Sequence, residues 1–390
     1  MSSSTSLVNR IAHKLCAGFS RLVLTHAMTK LILLEEDLSS NAHAPQVDTV
    51  GCFETSYEVP GRHEELSFDD GNIAVMCGHK YFLVHRSVLF RHSVVLEEMA
   101  EAAVAEGLIQ VLEGCPILVL PNTPDEMYVL LKYLYGLSDH SELDDFRVLS
   151  ILLKLSTAYG IQTLRLKALK QLSLSWPMTL TQWEAREKLV TNDGGIYAPR
   201  TGLPHPAVII TLARDIDAPQ LLPSAFYDLS RYLPSQLTTD HIDPDTGRTY
   251  SLSNTELFRV YRGKEQAARY FSTFIVKELE SRTPSQFCHN RDESLPARKR
   301  RCQIAFEAIT YALIRDVNGL VLNRNSDPLF AIADSLLMQT KEDAPGTENK
   351  AATRACEACR MEFSAAIENV RNEFWSKLPE WFELDVPNWG

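Results

Sequence analysis

Between Ile73 and Leu120 the spacing of apolar positions changes period several times, and each change marks an element. Ile73 and Val75 alternate with their neighbours, a turn follows at Gly78, His79 and Lys80, and Tyr81 to His85 is again strand-like, so this stretch predicts a hairpin. Ser87 is placed to cap a short helix carrying Val88, Leu89 and Phe90, and Ser93 to cap a second over residues 94–105. Ile117 to Leu120, set between Pro116 and Pro121, reads as a third strand packed on the hairpin. The next helix carries the strongest local signals. Thr123 is its N-cap, Pro124 its first residue, Glu126 completes a capping box, and Gly136 stops it, with Met127, Leu130, Leu131 and Leu134 facing inward. Helices over residues 144–159 and 162–174 follow before Trp176 and Pro177.

Beyond Pro177 the apolar period stays helical, in pieces broken by prolines. Helices are expected over residues 181–191, 206–216, 223–232, 254–281, 302–317, 328–340 and 353–377, with turns at Gly194, Gly195 and Asp243 to Gly247. No repeat of fixed period is present, so a helical solenoid is not expected. Residues 37–67 are polar, hold Pro45, Gly51, Pro60 and Gly61, and read as a linker. Residues 1–34 lack Asp and Glu, carry Arg10, Lys14, Arg21 and Lys30, and open on serines. That composition resembles a mitochondrial presequence, but the reading preferred is an exposed or loosely docked helix with a partial stripe of Leu7, Ile11, Leu15 and Leu22. The expected organisation is an N-terminal extension and linker over 1–65, partly disordered. An α+β domain with a short sheet flanked by helices follows over 66–177, and a mainly α-helical region over 178–390.

Composition narrows the class. With 390 residues, 45% hydrophobic and 23% charged, the chain can bury a substantial core and is ordinary for a globular protein. A formal charge of −11 disfavours nucleic-acid binding through a broad basic field. Eight cysteines over this length are too sparse for a disulfide scaffold, and no Asn-x-Ser/Thr acceptor occurs. Both points suit a reducing compartment, nucleus or cytoplasm. No apolar run approaches the roughly 18 residues of a membrane-spanning helix, so a soluble protein is expected.

Two stretches of the second half carry candidate chemistry. Cys288, Cys302, Cys356 and Cys359 are four late thiols; zinc needs four soft ligands in a tetrahedron, and a Cys-x-x-Cys pair supplies two. His289 is a spare ligand. The competing reading puts Cys356 and Cys359 on one helical face as small hydrophobes. Arg298, Lys299, Arg300 and Arg301, after Pro296, suit a nuclear import signal or a local phosphate-binding patch, and otherwise a solvated loop before a helix. The C-terminus from Phe374 to Trp389 is rich in aromatics and is expected to dock on the body, with a partner-binding peptide as the alternative.

Motifs for nucleophile elbows, zinc proteases, phosphate loops and dinucleotide folds are absent. His85 and His92 flank a short helix and read as structural or surface residues, and Glu97, Glu98, Asp69 and Asp70 as helix-face and turn residues. No catalytic residue is expected, and the chain reads as non-enzymatic.

The order of these elements resembles the BTB/POZ domain. Phe82 and Val84 to Leu89 carry the likeness in the hairpin-to-helix step. Ser93 follows, then Leu120 ahead of Thr123 and Pro124, and the segment Leu130 to Gly136; the match spans residues 66–176. It departs at Asn72 and Ile73, where the family more often has Asp and Val. The resemblance implies an interaction module that forms a homodimer through its first helices, here helped by residues 53–68, and that can dock on a cullin scaffold of ubiquitin ligases. For such docking the family often uses an apolar-x-Glu segment; Met99 to Glu101 and Val104 to Glu106 fit it. The interaction residues so implied are Phe82, His85, Arg86, Ser87, Leu89, Met99 and Glu101. Together with the Cys-x-x-Cys pair and the aromatic ending, the chain is similar to BTB-domain proteins of mushroom-forming fungi. Its helical half would then select the partner. The alternative is a nuclear, transcription-related regulator whose zinc-stabilised C-terminal region and basic cluster contact nucleic acid.

Overall fold

The computed structural model describes residues 60–105, 110–189, 203–244, 247–315, 327–340 and 354–390. The expectations for residues 1–34, most of the linker, Glu106, Gly194, Gly195 and Asp245 lie outside the described residues. The chain divides after Gln171 into two compact units. The first is α+β and the second is mainly helical.

The first unit is built on a five-stranded sheet in the order β1-β3-β2-β5-β4, from β1 (Gly61–Arg62), β2 (Ile73–Cys77), β3 (Lys80–Val84), β4 (Val111–Leu112) and β5 (Cys115–Leu120). The hairpin forms as expected, with Ile73 opposite Val84 and Cys77 opposite Lys80. β5 runs parallel to β2, with Ala74 beside Ile117 and Cys77 beside Leu120. This central placement buries Ile73, Ala74, Val75 and Cys77 alike, because β2 is covered on both faces and has no solvent side to alternate toward. β1 corrects the linker expectation: Gly61 and Arg62 pair in parallel with Lys80 and Tyr81, and Leu66 is buried. Pairing of so short an edge uses backbone groups alone and leaves no apolar pattern to read.

Helix α1 (Arg86–His92) starts one residue before the expected cap. Its N-cap is His85, and Ser87 stands exposed in the first turn. The orphan N–H of Arg86 is taken instead by Asn72 Oδ1 at 2.8 Å, so the side-chain oxygen of the departing Asn72 closes the helix end from the residue just ahead of β2. Ser93 caps α2 (Val94–Ala105) as expected, accepting from Leu96 N at 3.0 Å while its hydroxyl donates to the Tyr159 carbonyl at 2.6 Å. In α3 (Pro124–Leu134) both bonds of the Thr123/Glu126 capping box form, and Met127, Leu130, Leu131 and Leu134 are buried. Gly136, at φ +69°, ends it. A short 3₁₀ turn (His140–Asp144) leads to α4 (Phe146–Ala158), capped by Asp145, and α5 (Gln162–Ser175) follows.

The second unit is assembled around α8 (Leu222–Ser230), in which every residue is buried. It packs on α7 (Pro206–Asp215), on α10 (Asn254–Phe274) and on the terminal helix α15 (Leu378–Trp381). α6 (Leu180–Leu189), α9 (Pro234–Leu237), a two-stranded ribbon of β6 (His241–Ile242) and β7 (Thr249–Tyr250), α11 (Pro296–Lys299), α12 (Arg301–Arg315), α13 (Pro328–Thr340) and α14 (Glu357–Ser376) complete it. α10 opens on a Ser253/Glu256 capping box and runs into a π-helical turn (Ile275–Glu280). The aromatic C-terminus is docked: Phe374, Trp375, Leu378, Trp381 and Phe382 are buried, and Trp389 stacks on Trp375 with ring centroids 5.3 Å apart. No described helix is long and apolar enough to cross a membrane.

Beneath this packing lies an ionic cluster. Asp228 accepts from Arg186 at 2.9 Å and from Arg231, and Arg231 also reaches Glu187 at 2.8 Å and Asp327 at 2.7 Å. Arg186 lies between the rings of Trp176 and Trp183, 4.7 and 4.5 Å from their centroids. The guanidinium planes are therefore paired at their edges and covered on their faces by aromatic rings.

Candidate metal centre

Three separate segments bring the late cysteines together. Cys288 ends a tight turn, its N–H bonded to the Ser285 carbonyl at 3.0 Å. Cys302 is the second residue of α12, and Cys356 and Cys359 flank the start of α14. That helix begins at Glu357, four residues later than expected, so Cys356 is its N-cap in an extended conformation (φ −65°, ψ 164°). The two Cys-x-x-Cys thiols are thus not neighbours on a helical face; one leads into the first turn and the other closes it.

The four sulfurs lie within 4.8 Å of one another. Cys288 Sγ is 3.6 Å from Cys302 Sγ and 3.8 Å from Cys356 Sγ. A tetrahedron with zinc–sulfur bonds of ~2.3 Å has edges of ~3.8 Å, so these two separations match the edge of a tetrathiolate. It is far wider than the ~2.05 Å of a disulfide. Simple packing of small hydrophobes also fails to account for what surrounds the sulfurs, since every one of them receives an N–H. Cys302 Sγ accepts from Asn290 Nδ2 at 3.1 Å and from Cys356 N at 3.2 Å. Cys359 Sγ accepts from Ser285 N at 3.3 Å. The Asn290 N–H points at Cys288, and the N–H groups of Cys359 and His289 point at Cys356. Donors aimed at sulfur stabilise thiolate charge and orient the ligands, as outer-shell groups do at metal sites.

The electrostatics follow from these contacts. Burial pushes the Cys356 thiol up, but the N–H groups of Cys359 and His289 and the neighbouring thiols outweigh it and hold it down at about 6. Burial raises Cys288 and Cys359, so protons crowd onto the inner sulfurs when no cation is there to replace them. Arg282 stands close enough to feel the Cys359 charge, its guanidinium over the rings of Phe306 and Phe363 at 5.3 and 4.9 Å. The expected spare ligand is corrected: the His289 ring is exposed, and the residue serves the site through its backbone. Asn290, Ser285 and Arg282 escaped sequence reasoning; only the nearness of Asn290 and Ser285 to Cys288 pointed their way.

The remaining candidates lie elsewhere. Arg298, Lys299, Arg300 and Arg301 are exposed across α11 and the start of α12, directly ahead of Cys302. Arg298 and Arg300 face Glu293 and Glu307 at 4.0 and 3.6 Å. Of the implied interaction residues, Phe82 and Leu89 are 0% and 1% exposed, so they hold the first unit together and cannot themselves meet a partner. Arg86, Ser87 and Glu101 are exposed and Met99 is half-buried. His85 is a tie: its backbone N–H donates to Tyr135 Oη at 2.9 Å, its Nδ1 lies 2.9 Å from the same oxygen, and its Nε2 is 3.2 Å from Asp70. His92 is exposed.

Helix α2 has an unusual balance. Val94, Val95, Leu96, Met99, Val104 and four alanines make it as apolar as a core helix, yet Leu96 is its one buried residue, and Val94 and Val104 are 64% and 53% exposed. α1, which packs on α2, exposes Arg86, Arg91 and His92, and α2 exposes Glu98 and Glu101.

No protein-family model, curated protein or solved structure matches the chain.

Proposed function

We propose that this chain is an interaction protein without catalytic activity, whose first unit is a BTB/POZ-like domain that self-associates through α1 and α2. Support for the domain comes from the element order: a hairpin, two helices, a third strand parallel to the first of the hairpin, and a capped helix. The observation that carries self-association is α2, apolar at nine of its twelve positions with only Leu96 buried. A second copy is its natural cover. A two-fold interface sets one patch against its own copy, so the basic α1 of each protomer can meet the acidic α2 of the other around an apolar centre. Met99 and Glu101 lie on the same helix, which makes cullin docking the extension of this reading.

The four-cysteine centre takes zinc in this account: an all-sulfur tetrahedral set with thiolate character suits it above harder divalent ions. Cys288, Cys302, Cys356 and Cys359 would hold the ion and fasten the 285–302 segment to α14, giving the helical unit a fixed surface for partners. A second reading follows from the exposed Arg298 to Arg301 run next to this centre, namely a nuclear regulator contacting nucleic acid. DNA binding that weakens steeply with added salt would favour it.

The test is co-purification of two differently tagged copies from one cell. Recovery of the second tag, and its loss on Met99→Glu with Val94→Glu, is the expected result; cullin in the same eluate supports the adaptor extension. A single tag in every eluate overturns self-association.

A further inference from the structure

We propose that Cys356 is a site of reversible oxidation by hydroperoxides, with Cys359 as its resolving thiol, and that this reaction expels the metal. The inference rests on the metal reading above. Three of the four residues are closed to solvent: Cys288, Cys302 and Cys359 are 6%, 0% and 2% exposed, whereas Cys356 is half-buried. A small oxidant entering from outside therefore meets Cys356 first.

In the first step the Cys356 sulfur attacks one peroxide oxygen, the O–O bond breaks, and hydroxide leaves with the bonding pair, giving a sulfenic acid. In the second, the Cys359 thiolate attacks that sulfur, an S–S bond forms, and the sulfenic oxygen departs as hydroxide. Two thiolates are oxidised, one peroxide is reduced, and two protons from solvent complete two waters. Cys359 is the resolving group because it stands three residues on in the same Cys-x-x-Cys pair, with its sulfur within 4.8 Å of the Cys356 sulfur. Cys288, whose sulfur is 3.8 Å from that of Cys356 and 3.6 Å from that of Cys302, belongs to a separate segment, and its joining to Cys356 is an outcome that would overturn the assignment. With Cys356 and Cys359 joined, Cys288 and Cys302 alone cannot retain zinc, and the bond from Ser285 N to Cys359 Sγ loses its thiolate acceptor. The link between the 285–302 segment and α14 is released.

The experiment uses the purified full chain. Zinc content is measured first; a chain without zinc sinks the metal reading before any oxidant is added. Hydrogen peroxide is then titrated in the presence of a zinc-binding dye, and cysteine peptides are mapped by mass spectrometry. The expected outcome is release of one zinc per chain with a Cys356–Cys359 disulfide as the first product, buried Cys77 unchanged, and recovery on treatment with dithiothreitol and zinc. Zinc retained under excess peroxide would overturn the proposal, as would a first disulfide joining other cysteines or irreversible over-oxidation of Cys356.

Discussion

The Phe382 ring occupies the space where a β-carbon on Gly263 would stand, so α10 and the chain terminus meet at the one residue type that leaves room. In an exposed helix interior, glycine to alanine gains about 0.5–1 kcal/mol from reduced backbone entropy. Here overpacking decides the sign: Gly263→Ala should destabilise the helical unit by about 1–3 kcal/mol in urea unfolding. Combining it with Phe382→Ala should cost less than the sum of the two single changes, since the second removes the clash of the first.

Asp228 should be the least replaceable charge in the chain. Arg186 and Arg231, at 3% and 1% side-chain exposure, both lean on it, and aromatic rings close off water. Asp228→Asn keeps the shape and removes the charge, leaving two buried guanidinium groups short of a partner. Loss of one member of a buried pair costs about 3–5 kcal/mol, and equilibrium denaturation of the helical unit should show a change of that size.

Acid should weaken both units, through different histidines. Burial lowers the pKa of His241, against the opposing charge of Asp243, and its ring stacks on His205 with centroids 4.1 Å apart. Burial and Lys80 lower His63, which stacks on Phe82. A folded-state pKa below 6.5 means that the unfolded chain binds more protons, so the contribution is full above about pH 6.5 and is lost as pH falls through the lowered values. Denaturation midpoints at pH 7.5 and 5.5 should differ in that direction, and His241→Gln should flatten the difference for the helical unit.

What sequence could and could not supply divides along the reach of the interactions. Capping is local, so α3 was readable from Thr123, Pro124, Glu126 and Gly136 with its ends in place. The Cys-x-x-Cys pair announced thiols, but Cys302 and Cys356 are separated by a long stretch of chain, and only the fold places both beside Cys288. β1 left no trace because a two-residue edge is held by backbone alone. The His205–His241 stack and the Asp228 cluster were invisible for a related reason: charged and polar residues at these positions match a solvated surface until their partners across the fold are known.

On the zinc reading, removing the metal should act on one unit only. Because the binding free energy of a structural zinc site is folding free energy, a strong chelator, or Cys302→Ser, should lower the thermal midpoint of the helical unit by about 10 °C or more. The first unit, whose described cysteines Cys77 and Cys115 are no part of the cluster, should melt unchanged. Differential scanning calorimetry with and without chelator reads both transitions.

The central claim is that α1 and α2 meet a second copy, and sedimentation equilibrium of the purified full chain tests it most directly. A protomer of 44.0 kDa should sediment at twice that mass at micromolar concentration, and Met99→Glu with Val94→Glu should return it to the single-chain mass with its circular dichroism intact. A wild-type chain that stays at 44.0 kDa across the whole accessible concentration range would contradict the account.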